Sequence, residues 1–160
     1  MALFFRYATI RVRDVVAQAK FWSEATGCRA VGAGDGALLR LDEDRDNPGV
    51  LLLEDHGAVP QVTGLAFCPR SGGLVGEVQR LMVLGAQIVG KVHRGFGLGE
   101  VTLADPEGNW FLVTSGPEEL EAFENDESGR EGCAGDPFWA DAEQPPGRTG
   151  HGFTYAVVEG

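Results

Sequence analysis

In the run 4–13 apolar and polar side chains alternate through the second half, with Ala8, Ile10 and Val12 on one side and Tyr7, Thr9, Arg11 and Arg13 on the other. That period of two predicts a half-buried strand. The period then lengthens: Val15, Ala19, Phe21, Trp22 and Ala25 make an imperfect helical stripe, Asp14 stands where an N-cap belongs and Gly27 where a left-handed C-cap does. A helix to about Thr26 follows. Short strands are predicted over 28–33, 36–41 and 49–54, and the acidic connection Asp42 to Gly49, with Pro48, reads as a solvent loop.

The same plan then recurs. An apolar strand is predicted over 62–68, a helix capped by Ser71 runs through Leu84 and ends at Gly85, and strands follow at 86–92, 98–104 and 109–114. Gly27 and Gly85 are 58 residues apart, and so are Val31-Gly32 and Val89-Gly90. An internal duplication accounts for both matches. The expected fold is α+β: two tandem βαβββ modules, about 4–54 and 62–114, forming a curved, cradle-like mixed sheet with helices outside and a concavity suited to a small molecule.

Composition changes this picture mainly at the C-terminus. Of a net charge of −11, residues 115–160 carry eleven acids against Arg130 and Arg148, nine net negatives, leaving two for residues 1–114. With Pro117, Pro137, Pro145 and Pro146 this segment reads as an extended or partly disordered extension, from which Pro137-Phe138-Trp139 and a strand-like run over 152–158 stand out. No clustered basic surface suits nucleic acid, and no apolar run suits a membrane. Cys28, Cys68 and Cys133 lack metal-like spacing and read as free thiols, so a cytoplasmic protein is expected.

The segments Thr9-Ile10-Arg11-Val12-Arg13-Asp14, Ala19-Lys20-Phe21-Trp22 with Gly27, Leu81-Met82-Val83-Leu84-Gly85-Ala86 and, most specifically, Asp105-Pro106-Glu107-Gly108-Asn109 resemble the vicinal oxygen chelate superfamily. That group contains glyoxalase I, extradiol dioxygenases, fosfomycin-modifying transferases and bleomycin-binding resistance proteins. The resemblance covers about 4–114 and implies a homodimer. It also implies four metal-ligand positions, which fall on Tyr7, Glu54, Gly64 and Leu112. Of these only Glu54 is a ligand of the family's kind, and one carboxylate is a poor site for a divalent ion. No metal and no cofactor are therefore expected.

Alternation from Leu112 puts Trp110 on the inner face and Phe111 and Val113 against the helices. Tyr7, Thr9, Arg11, Glu54, Glu100, Thr102, Trp110 and Leu112 are the candidate ligand-binding residues, without a catalytic set. The aromatic rings offer flat apolar area, Arg11 a stacking or carboxylate-binding group, and Glu54 and Glu100 a counter-charge for a cation or a pair with one raised pKa. The stretch Gly95-Phe96-Gly97-Leu98-Gly99 has no context for phosphate binding and reads as a loop at the cradle mouth. His56 reads as a rim residue and His93 as one near a turn. The expected function is metal-independent binding of a small amphipathic, aromatic or cationic molecule, drug-binding or sequestering and resistance-like. The alternatives are a lyase-, dioxygenase- or transferase-like enzyme with an atypical site, and a structural or regulatory homodimer with a vestigial pocket.

Overall fold

The computed structural model describes residues 7–40, 49–95, 97–125 and 136–143. The alternating run at the start becomes β1 (Tyr7–Val12), with Ile10 and Val12 wholly buried. The Asp14 carboxylate then accepts the Val16 and Ala17 N–H groups at 3.1 and 2.9 Å and starts α1 (Val15–Thr26). Gly27, at φ 72°, ends it as a left-handed residue without the steric cost a Cβ would bring. Strands β2 (Arg29–Gly32), β3 (Gly36–Arg40) and β4 (Gly49–Glu54) complete the first module. Its sheet runs β1-β4-β3-β2, with β1 and β4 parallel and the other pairs antiparallel.

The second module repeats the order with β5 (Val62–Phe67), α2 (Leu74–Val83), β6 (Gln87–Gly95), β7 (Leu98–Ala104) and β8 (Trp110–Thr114). Its sheet runs β5-β8-β7-β6, and β5 and β8 are again the parallel pair. The landmarks 58 residues apart fall in matching places, a positive-φ glycine after each helix and a Val-Gly pair in β2 and β6. Two βαβββ modules with mixed sheets and outer helices thus form the cradle. No helix among the described residues is long and apolar enough to cross a membrane.

Ser71 does not cap the second helix. The helix opens three residues later, at Leu74, and its first amide and that of Gly72 just before it are met by a third helix, α3 (Pro117–Asn125), in the acidic segment expected to be extended. Glu119 accepts the Leu74 N–H at 2.9 Å and Glu118 the Gly72 N–H at 3.2 Å. Carboxylates at a helix N-terminus are favoured by both the free N–H groups and the helix dipole.

One apolar core serves both modules. Trp22 of α1 is fully buried and its ring meets Phe111 of β8 and Phe67 of β5 at centroid separations of 4.9 and 5.8 Å. The 105–109 turn clasps the first module from the second. Asp105, 2% exposed, accepts the Trp22 Nε1–H at 3.3 Å, and Glu107 accepts the Arg13 and Asp14 N–H groups at 2.8 Å each. Within the turn the Asp105 carboxylate takes the Glu107 and Asn109 N–H groups, and Gly108 adopts φ 89°. From Asn109 the contact continues to the linker: its side-chain oxygen accepts the Gln61 N–H at 3.2 Å, while Gln61 Nε2 donates to the Arg11 carbonyl at 3.0 Å.

Because Glu107 supplies a charged acceptor to two amides of the other module, Glu107→Ala should cost about 2 kcal/mol of stability. Urea unfolding checks this through a lower midpoint at unchanged slope.

Candidate functional site

On β8 the side chains divide as alternation requires. Phe111 and Val113, 3% and 1% exposed, enter the helix-side core, whereas Trp110, 43% exposed, Leu112 and Thr114 fall on the opposite, inner face. The register places Thr102 across from Leu112, Ala66 beside Leu112 and Val62 beside Trp110. Gly64, at φ 70°, lies at the bulge where β5 shifts register between Val62 and Ala66. Against this face lies a cavity of about 690 Å³. Trp110, Leu112, Thr102, Ala66 and Gly64 line it together with β6 and, from the C-terminal segment, Asp141 and Glu143.

The other candidates lie elsewhere. Tyr7, Thr9 and Arg11 share the inner face of the first sheet, where they register with Gly49, Leu51 and Leu53. Arg11 is bonded to Asp55 at 3.1 Å, and the Asp55 carboxyl is held below its ordinary 3.8 first by the Gly57 N–H and then by Arg11. Glu54 registers with Val12 and falls by alternation on the side of Leu52, toward the helix layer, at an exposed strand end. Glu100 accepts two bonds from the Arg94 guanidinium, at 2.9 and 2.6 Å, and sits in the other sheet from Glu54. The two carboxylates thus form no pair. Thr102, Trp110 and Leu112 meet at one cavity, and the remaining candidates do not line it.

Register also decides the metal question. The residue beside Tyr7 on β4 is Gly49, and Glu54 is five residues farther along, about 16 Å at strand rise. Gly64 and Leu112 bring no side-chain donor atom. Among the described residues no three His, Cys, Asp or Glu side chains come close enough together to hold a metal ion. The residues at the implied ligand positions do not fit one.

A second cavity of about 700 Å³ opens between the modules on the helix side, among Ala8, Val50, Leu65 and Phe67 and the ends of α1 and α2, with Cys28 and Cys68 in its wall. Sequence reasoning gave no sign of it. The segment 136–143 was also only half visible. Pro137–Trp139 forms a 3-10 turn in which Trp139, 6% exposed, joins the core and stacks on His93 at 5.0 Å, so His93, near the end of β6 and close to the turn into β7, also anchors this segment. A Cβ at Gly99 would come within 2.5 Å of the Trp139 ring. Lys91 donates to the Phe138 carbonyl and to Asp141, and its ammonium lies 4.7 Å from the centre of the Phe138 ring. The Lys91 bond holds the Asp141 carboxyl below its ordinary 3.8. A depressed folded-state pKa means that this link is at full strength above 3.8 and is lost only as pH falls through the lowered value. The apolar triplet 137–139 was the visible signal; its seat on β6 and β7 was not.

The family model of the glyoxalase-like domain matches residues 7–114, and the chain belongs to that family. None of the curated proteins compared matches it. Among solved structures it is similar to a genomically encoded fosfomycin resistance protein from Listeria monocytogenes, 14% identical, covering 77% of this chain and 98% of that one, with a TM-score of 0.56. A glyoxalase/bleomycin resistance protein/dioxygenase superfamily member from Sphaerobacter thermophilus is 18% identical, covering 71% and 97%, with a TM-score of 0.55. A glyoxalase-related enzyme from Fulvimarina pelagi is 19% identical, covering 70% and 87%, with a TM-score of 0.54. At these identities the likeness is one of fold. The segment 136–143 lies outside the matched residues.

Elemental analysis of protein purified without chelator checks the donor argument. The expected result is zinc, nickel, manganese and iron all far below one ion per chain.

Proposed function

We propose that this protein binds a small amphipathic or aromatic molecule in the cavity of the second sheet without a metal ion, as a drug-binding or sequestering protein rather than an enzyme. The observation that carries this reading is the pairing of an exposed Trp110 with Gly64 and Leu112, where the family resemblance implies metal ligands. A glycine and a leucine give room and apolar wall in place of coordination. Trp110 supplies a flat face for stacking, and Thr102 a hydroxyl that can orient a polar group. An acid-base reaction has less support, because Glu100 is engaged by Arg94 and Glu54 stands apart on the other sheet.

The protein is further read as a cytoplasmic homodimer. Tyr7 and Val31, each 46% exposed, leave apolar area on the first sheet that a second copy would cover, and Cys28 and Cys68 are free thiols, as a reducing compartment keeps them.

Calorimetry over aromatic antibiotics and metabolites tests the binding reading. At least one compound should bind with Kd below about 1 mM, and a Kd near 1 µM would correspond to about 8 kcal/mol. Trp110→Ala should weaken that compound by about tenfold or more, as loss of a central aromatic anchor does. A screen in which nothing binds would overturn the proposal.

A further inference from the structure

We infer that the C-terminal strap 136–143 is a wall of the cavity and selects a cationic ligand, an amine or guanidinium carried on a flat apolar body; this rests on the cavity reading above. The strap is bonded to the edge strand β6 rather than merely lying near it. Glu143 donates its N–H to the Lys91 carbonyl at 2.9 Å and accepts the His93 N–H at 3.1 Å, a parallel bridge opposite Val92. Upstream, Trp139 is buried on the helix side of the same sheet. The strap therefore starts behind the sheet and passes round its β6 edge to the cavity rim, where Asp141 and Glu143 stand.

Charge at the rim follows from what Lys91 requires. Its side chain is 11% exposed, and an ammonium so far removed from water is costly unless paired. Among the described residues its partners come from the strap: the Phe138 carbonyl, the Phe138 ring and the Asp141 carboxylate. Asp141 is thus spent on Lys91. Among the described residues lining the cavity, Lys91, Asp141 and Glu143 are the charged ones, so the cavity carries a single net negative charge and Glu143 is its unspent carboxylate. Trp110 lines the same cavity and supplies the flat partner. A cationic aromatic body satisfies both, a neutral one satisfies Trp110 alone, and an anionic one meets repulsion.

Three probes of matched shape test this on the full chain near neutral pH: N-methylquinolinium, neutral quinoline and a quinolinecarboxylate. By calorimetry the cation should bind about fivefold tighter than quinoline, the upper range for a solvent-exposed ion pair, and the anion weakest. Glu143→Gln keeps the backbone bridge and should bring the cation-to-neutral ratio to about one while leaving quinoline unchanged; Glu143→Lys should reverse the order. Equal affinity for cation and neutral probe in the native chain, or a preference that survives Glu143→Gln, would overturn the inference and leave the cavity reading standing. Binding of none of the three would count against the cavity itself, and the inference would fall with it.

Discussion

The carboxylate of Asp105 is the constraint on which the arrangement depends. It is buried, and a buried carboxylate holds its place only if its lone pairs are met. Here the Glu107 and Asn109 N–H groups, the Asn109 side-chain amide and the Trp22 indole meet them. Three of these donors fold the turn, and the fourth ties it to the first module. Moving Trp22 would leave its buried indole N–H and one acceptor site of Asp105 unmet, so its ring stays against Phe67 and Phe111, and the two sheets share one core. Strand β8 starts directly after Asn109. The turn thereby fixes which of its residues face inward, and with them the position of Trp110 and Leu112.

The cavity is made largely by omission. Gly64 has no side chain and sits where β5 slips its register, Leu112 offers only carbon, and Thr102 only a hydroxyl. On the other sheet the residue beside Tyr7 is again a glycine, Gly49. Where two strands meet at the implied ligand positions, the neighbours are thus too small or too apolar to donate electrons, and space with an aromatic border takes the place of a charged centre. The consequence is a site whose selectivity has to come from its rim, since its floor can discriminate by shape alone.

Local signals in the sequence were reliable because the structure satisfies them locally. Asp14 and Gly27 bound a helix through their own backbone geometry, and both are legible within a few residues of where they act. The β8 alternation was legible for the same reason, since neighbouring residues decide it. Glu54 was placed by counting to the end of its strand, but its neighbours across the sheet are set by pairing, and the parallel register moves it five residues from the partner of Tyr7. Ser71 lost its role to Glu119, which lies far along the chain and reaches α2 only once α3 has folded. Long-range pairing of this kind leaves no periodicity to read.

The acidic C-terminal segment illustrates the difference between charge as composition and charge as structure. Read as a sum, its excess of carboxylates suggests solvation and disorder. Assigned one at a time, they do specific work: Glu118 and Glu119 receive amides around the start of α2, Asp136 caps the Phe138 N–H, and Asp141 neutralises Lys91. Glu118, Glu119 and Asp141 thereby meet donors on the body of the fold, while Asp136 caps a turn of the segment itself. The net charge of the segment therefore overstates what is available to a ligand, because Glu118, Glu119, Asp136 and Asp141 are already engaged. The carboxylate that reaches the cavity unengaged is Glu143, and its position is set by its backbone bridge to β6 and by the burial of Trp139 behind the same sheet.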